Sequence, residues 1–370
     1  NPLARNGCTG SSPVRGTSQS STEGPYSLRI HKGKYMKRVA YTLFFILIFF
    51  LTSCGVSKGH FKLEGRILHI NQGELYIYSL DGGTIGMDTI KIQGGRFAYE
   101  IPLKDDAILM LVFPNFSQQP IFAKSGKSVE ISADASKLKE MEVSGTKDNK
   151  LMTDFRKEIE NSSPPQIEHD AEQFIKDHPN SLVGTYLVQK YFIQDPQPDY
   201  RKAIRLIDLM LNVQKKNGTL IRIREKISSL EATQKGRQIP VFKTKDMNGR
   251  PISSTSLTHS PYAMIIVWAT WNDESQQILR EVNAFRRHSG SKLQVVSISV
   301  DATRQDCMNS LKNDTIFWPN IWDGEMFENK TLRRLGLTNV PDNLLLKKGR
   351  VIARGIKVGQ INSQLNKLVK

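Results

Sequence analysis

The spacing of apolar residues changes twice along this chain, and those two changes bound what it can fold into. From His60 to about Thr146 apolar residues recur at every second position, in short runs such as FKLEGRILHI, ELYIYSL and RFAYEI separated by Gly, Asn, Asp or Pro. Side chains of an extended strand alternate between its faces, so repeated short runs of period two predict an antiparallel β-sandwich or barrel. Gln93-Gly94-Gly95 lies between two runs as a hairpin turn. From Lys147 to about Gly236 the period lengthens to 3.6. Ile204, Ile207, Met210 and Leu211 fall on one side of a helix, and Ile223, Ile227 and Leu230 extend the pattern. In FIKDHPNSLVGTYLVQKYF, Pro179 parts two short helices and Asn180 or Ser181 caps the second. Such stripes build a core more often than a cofactor box, so residues 147–236 are expected to be a helical connector.

From Arg237 onward the pattern alternates. Apolar strand runs over Tyr262–Ala269 and Leu293–Asp301 are interleaved with helical spacing over Gln276–His288 and Thr303–Lys312. A hairpin around Lys348-Gly349-Arg350 and a last helix over 360–369 follow. Strand and helix in alternation predict an α/β domain. The expected organisation is therefore multidomain: an all-β sandwich-like domain over 60–146, an α-helical connector over 147–236 and an α/β domain over 237–370. A length of 370 residues agrees with more than one core.

The front of the chain reads as an address. Met36-Lys37-Arg38 is followed by thirteen apolar residues, VAYTLFFILIFFL, ending in Leu51-Thr52-Ser53-Cys54. A short basic segment and a brief apolar stretch have the proportions of a secretory signal, and the stretch is shorter than the roughly 20 residues of a spanning helix. Cys54 directly after the run resembles a bacterial lipobox, which implies lipidation of its thiol. The expectation is a signal peptide over 36–53, a tether over 54–59, and residues 1–35 as a non-native or over-extended start. Gly55 after the cysteine, with no Asp at that position, favours the outer membrane over the inner, facing the periplasm. Residues 1–53 carry seven basic side chains and one acid, so the charge of +16 falls to +10 after Ser53. That balance favours anionic surfaces such as lipid headgroups or acidic glycans. No nucleic-acid-binding motif accompanies it.

Three cysteines, Cys8, Cys54 and Cys307, are too few for a disulfide framework. The seven histidines include no closely spaced pair, so no metal and no cofactor is expected.

Several residues carry a family likeness. Gly236 to Phe242 followed by Asp246-Met247-Asn248-Gly249-Arg250 resembles the opening hairpin of membrane-anchored thioredoxin-like thiol-disulfide oxidoreductases and their peroxiredoxin relatives (the alkyl hydroperoxide reductase and thiol-specific antioxidant group). Trp268-Ala269-Thr270-Trp271 matches the tetrapeptide that precedes their CxxC, and Val340-Pro341 falls where they keep a cis-proline. The resemblance covers about 130 residues and implies a thioredoxin-like fold. The strand-rich segment ahead of it likewise resembles a small β-domain of unknown function found in envelope lipoproteins.

The resemblance fails at its reactive centre. After Trp271 the chain reads Asn272-Asp273-Glu274-Ser275, so both expected cysteines are absent. Thiol-disulfide exchange needs a thiolate and a resolving thiol, and neither an amide nor a hydroxyl replaces them. Asn272 is instead a favoured N-cap, and Asp273 and Glu274 place negative charge in the first helical turn. Asp273, Glu274 and Asp301 read as capping and solvated acids rather than a cation site. Cys307 beside Met308 and Leu311 reads as a small core residue. Catalytic residues are therefore expected to be none, with degenerate positions at Asn272 and Ser275. Trp268, Trp271, Asn272, Val340 and Pro341 are the candidates for a binding groove, with Trp318 and Trp322 as further aromatic neighbours. In the family that surface holds an extended peptide by backbone hydrogen bonds. The expected function is a redox-inactive binding or assembly module for a peptide, protein or glycan. A thiol-disulfide oxidoreductase or antioxidant protein is the alternative that fold alone suggests.

Overall fold

The computed structural model describes residues 56–83, 85–289 and 292–369. The expected signal segment, Cys54 and the expected over-extended start lie outside the described residues. Val56–Lys370 pack as one compact unit.

Eight strands open it: β1 (His60–Leu68), β2 (Gln72–Ser79), β3 (Met87–Gln93), β4 (Arg96–Pro102), β5 (Ala107–Val112), β6 (Gln118–Ala123), β7 (Ser128–Asp134) and β8 (Glu142–Ser144). Period two is visible in β1, where Phe61, Leu63 and Ile67 point inward. The β3–β4 hairpin turns on Gly94 and Gly95, both left-handed at φ 58° and 73°, which a residue with a Cβ adopts only under strain.

The sandwich-like expectation is corrected here. The strands form one sheet in the order β6-β5-β2-β3-β4-β1-β7-β8. Residues from all eight strands share a single core, so the sheet curls round its own apolar face and does not divide into two. Nor is it wholly antiparallel, since β1 and β7 run parallel, from Lys62 opposite Ser128 to Leu68 opposite Asp134. Alternation reports which face of a strand is buried and is silent on the direction of its neighbour.

One strand is buried on both faces. Leu109 and Leu111 of β5 enter the sheet's own core, while Ile108 and Met110 face outward and join Phe122 of β6. That outer patch is covered by the helices α1 (Lys147–Glu158), α2 (Pro164–Asp177), α3 (Leu182–Val188), α4 (Tyr200–Val213) and α5 (Gly218–Ala232). In α4 the side chains of Ala203, Leu206, Ile207 and Met210 are buried, with Ile204 and Leu211 at the edge of the stripe. Thr146, Ser181, Asp199 and Asn217 cap α1, α3, α4 and α5 with side-chain oxygens, so Ser181 is the cap after Pro179. The helical segment is a layer packed on the sheet.

Asn149 of α1 fixes that layer. Its Oδ1 accepts the Phe122 amide at 3.0 Å, and its Nδ2 donates to the Phe122 carbonyl at 2.8 Å and to Thr146 Oγ1 at 2.7 Å. Asn149 thus completes the hydrogen bonding of β6 where a further strand would otherwise lie.

The last third contains a hairpin of β9 (Lys243–Lys245) and β10 (Pro251–Ser253), then α6 (Ser254–His259), β11 (Tyr262–Trp268), α7 (Asp273–Ser289), β12 (Leu293–Ser299) and α8 (Arg304–Asn313). It ends with β13 (Asn320–Ile321), α9 (Lys330–Arg334), β14 (Asp342–Lys347), β15 (Arg350–Arg354) and α10 (Ile361–Val369). The central sheet runs β13-β12-β11-β14-β15, with β11 parallel to β12 and antiparallel to β14. One core lies on each face of it. This is the thioredoxin-like arrangement. The helical layer reaches it through Thr233, whose Oγ1 donates to the Leu335 carbonyl at 3.0 Å and lies 2.6 Å from Arg354 Nη1.

Replacing Asn149 with Ala leaves a buried N–H and a buried C=O on Phe122 without partners, for an expected loss of about 2–4 kcal/mol in urea unfolding. A loss under about 1 kcal/mol would show that solvent takes over both bonds.

Candidate functional site

β11 ends inside the core. Trp268 is fully buried and its indole N–H donates to Asn320 Oδ1 at 2.8 Å. Ser297 Oγ donates to the same oxygen at 2.6 Å, and Trp318 Nε1 donates to Ser297 Oγ at 2.9 Å. Two of the aromatic groove candidates, Trp268 and Trp318, are therefore core residues with satisfied indoles, and a groove lined by Trp268 is corrected. A Trp on the last turn of a central strand points to one sheet face or the other, and a four-residue motif does not say whether that face is covered.

Beyond Trp268 the chain turns sharply around Asp301, itself 2% exposed. The Thr270 amide and hydroxyl donate to Asp301 Oδ1 at 2.8 and 2.7 Å, and Ser299 Oγ donates to Oδ2 at 2.7 Å. Trp322 Nε1 donates to the Asp301 carbonyl at 2.8 Å. A buried carboxylate with three donors fastens the turn. Sequence spacing gives Asp301 no such role, because Thr270, which donates to it twice, lies 31 residues away.

The turn delivers Trp271 to the surface, 59% exposed, and starts α7 at Asp273. Asn272 Oδ1 accepts the Ser275 amide at 2.8 Å, which is the N-cap bond expected of it. Ser275 is fully buried. Its hydroxyl donates to the Asn272 carbonyl at 2.7 Å, or to the Ala269 carbonyl at 3.2 Å, and accepts the Ala269 amide at 3.1 Å. Among the described residues no His, Lys, Asp or Glu side chain bonds that hydroxyl, whose partners are all backbone groups. Both positions where the family keeps cysteines are spent on the local backbone.

The Val340–Pro341 peptide is cis and faces this turn. Asn272 Nδ2 lies 3.5 Å from the Val340 carbonyl oxygen, a long and weak contact. Trp271, Asn272, Val340 and Pro341 thus come together at the surface. Among the described residues the Val340 amide donates no hydrogen bond.

Cys307, on α8, is fully buried 3.4 Å from Met247 Sδ, and Asn320 Nδ2 donates toward its sulfur at 3.2 Å. Burial pushes its thiol up to about 12, with the nearby Asp301 adding to the shift and the Ser299 and Asn320 hydrogen bonds opposing it. Among the described residues no group of three or more His, Cys, Asp or Glu side chains could hold a metal ion.

Comparison with known proteins bears on two parts of the chain. Residues 61–152 match the family described as a domain of unknown function, DUF4369. No curated protein matches the sequence. Similar solved structures include a thiol-disulfide oxidoreductase from Bacteroides fragilis, 23% identical, covering 36% of this chain and 99% of that one with a TM-score of 0.33. The thioredoxin domain of a thiol-disulfide oxidoreductase from Bacteroides vulgatus is 14% identical over 37% of this chain and 99% of its own, TM-score 0.33. A thioredoxin-like protein from Bacteroides caccae is 16% identical over 54% of this chain and 77% of its own, TM-score 0.38. At such values the likeness carries no argument, and the fold rests on the strand order and directions.

Two outcomes are expected. Replacing Asn272 with Ala should cost about 0.5–2 kcal/mol in thermal or urea unfolding, as loss of an N-cap does. Alkylation of the native chain at pH 8, mapped by mass spectrometry, should leave Cys307 unmodified. A thiol with a pKa of about 12 stays protonated there, and modification should appear only on unfolding.

Proposed function

We propose that this protein is a redox-inactive binding module of the bacterial cell envelope, held to the membrane by a lipid on Cys54 and facing the periplasm, at the outer membrane in preference to the inner. The lipid anchor rests on the sequence pattern of residues 36–54; among the described residues no helix is long and apolar enough to cross a membrane. Its thioredoxin-like domain uses the surface formed by Trp271, Asn272, Val340 and Pro341 to hold an extended peptide of a partner protein.

The observation that carries this reading is the occupation of the two reactive positions. Asn272 and Ser275 cap and close the first turn of α7, and the scaffold around them is intact. What survives is a surface with an exposed Trp271 ring, an amide on Val340 free to donate, and a Val340 carbonyl only weakly engaged. An extended peptide can pair with such a backbone edge while an aromatic side chain covers it. Dithiol exchange has no pair of thiols here, and Cys307 is a poor single nucleophile because burial keeps it neutral.

The test is a disulfide-reduction assay on the wild type beside the double variant Asn272→Cys, Ser275→Cys. Wild type should match buffer. The double variant should reduce the substrate, since a cysteine at the start of α7 would have its pKa lowered by the helix terminus. Turnover by wild type that Cys307→Ser abolishes would overturn the proposal in favour of an enzyme with a single unorthodox thiol.

A further inference from the structure

The strand-to-helix seam of the first two thirds holds a cleft that the thioredoxin-like groove does not use. It has a volume of about 820 Å³ and lies between β6 and α1, and a smaller hollow of about 250 Å³ adjoins it on the side of α3. Gln118 and Lys190 line both. Two features mark this place.

The first is uncompensated positive charge. Arg156, on α1, donates from Nη1 to Gln119 Oε1 at 2.9 Å, and from Nη2 to the Met141 carbonyl at 2.8 Å and to Thr153 Oγ1 at 3.2 Å. Every one of those acceptors is neutral, and its Nε is buried without a partner among the described residues. Lys190 is an exposed residue, yet its ammonium sits 5.5 Å from the Tyr186 ring centre and 5.1 Å from that of Tyr191. Among the described residues neither cation is paired with a carboxylate, whereas Lys157 at the rim is paired with Glu142 at 2.6 Å. Burial lowers the pKa of both, and Arg156 lowers that of Lys190 further, as expected of two cations facing one space. The Arg156 guanidinium, with a buried and unpartnered Nε, is costly to hold without an anion.

The second is the backbone. α3 does not end at Val188 but widens into a π-helical turn over Gln189–Ile193, closed by the Gln194 amide donating to the Gln189 carbonyl at 2.9 Å. π-turns are rare and pack less well than α-helix, so they persist where they aim side chains at a site. This one carries Lys190 and Tyr191 into the larger cleft and Gln189 and Gln194 into the hollow. The hydroxyls of Tyr186 and Tyr191 make no hydrogen bond to the described residues, and the Lys190 ammonium makes none either.

We propose that this cleft binds a carboxylated saccharide of one or two residues, with Lys190 and Arg156 meeting the carboxylate and the tyrosine and glutamine side chains meeting the ring and its hydroxyls. Its size suits a ligand larger than an inorganic anion. The rim argues against a polyanion, because Glu140, Glu142 and Glu160 also line the cleft and would repel a row of phosphates. A compact ligand with one or two negative charges and many hydroxyls matches phenols, amides and two cations together. The site is separate from the Trp271 surface and stands or falls without it.

Isothermal titration of the full chain with digalacturonic acid tests this, beside galactobiose as the neutral disaccharide, a Glu-Glu dipeptide and inorganic phosphate. Digalacturonic acid should saturate a single site, more weakly as salt rises, with the other three silent at equal concentration. Lys190→Gln should weaken it about tenfold, the worth of one charge-assisted contact, with the melting temperature unchanged at that exposed position. Arg156→Gln should abolish it, but it also loosens the α1–β6 seam, so Lys190→Gln is the deciding variant. Trp271→Ala should leave binding unchanged. Equal binding of galactobiose, saturation by the dipeptide or by phosphate, no binding of any sugar, or digalacturonate binding indifferent to Lys190→Gln would each overturn the proposal.

Discussion

β5 is buried on both faces, and much of the architecture follows from that. A strand whose six residues are all covered cannot lie at a solvent-facing sheet surface. Leu109 and Leu111 are satisfied by the sheet's own curl, but Ile108 and Met110, with Phe122 beside them, need a second layer. The helices supply it, and Asn149 ties the layer to β6 by taking both polar groups of the Phe122 backbone. Because that layer is anchored at one side, its far end reaches the thioredoxin-like part, where Thr233 and Arg354 join α5 to the strands and loop beyond. Gly336 marks how close the approach is: a Cβ there would stand 2.9 Å from the Ser229 carbonyl carbon.

In the thioredoxin-like part the first turn of α7 is framed by Asn272 and Ser275, neither of them a thiol. Asp301 locks the turn after β11, the cis Val340–Pro341 peptide stands opposite, and α7 begins directly after that turn. Asn272 gives α7 a capped start, its Oδ1 accepting the Ser275 amide. The contrast with Cys307 is instructive. A remaining thiol exists among the described residues, yet it lies in the core with its sulfur against Met247 and Asn320.

The seam between sheet and helices leaves the opposite residue. Packing a helical layer on a twisted sheet closes well at Asn149 and less well toward the end of α3, where the π-turn adjusts the fit. Charges left without partners at such a place concentrate binding energy that the fold itself has not used.

By itself the sequence determined the three-part order, because hydrophobic period is a local property. It announced seven of the first eight strands, a cap at Asn180 or Ser181 that the structure gives to Ser181, the cap at Asn272, the hairpin glycines, and the absence of cysteine at 272 and 275. The three-residue β8 and the two-residue β13 were too short to show a period. Tertiary structure alone decided whatever depends on residues far apart in the chain. That includes the single curled sheet and its parallel β1–β7 pair, the burial of Trp268 against Asn320, and the role of Asp301. It also includes the meeting of Arg156 with Lys190 across a cleft. Alternation and spacing encode which side of an element is apolar, but not what comes to cover it. Only the folded chain fixes which polar groups find partners and which are left to meet a ligand.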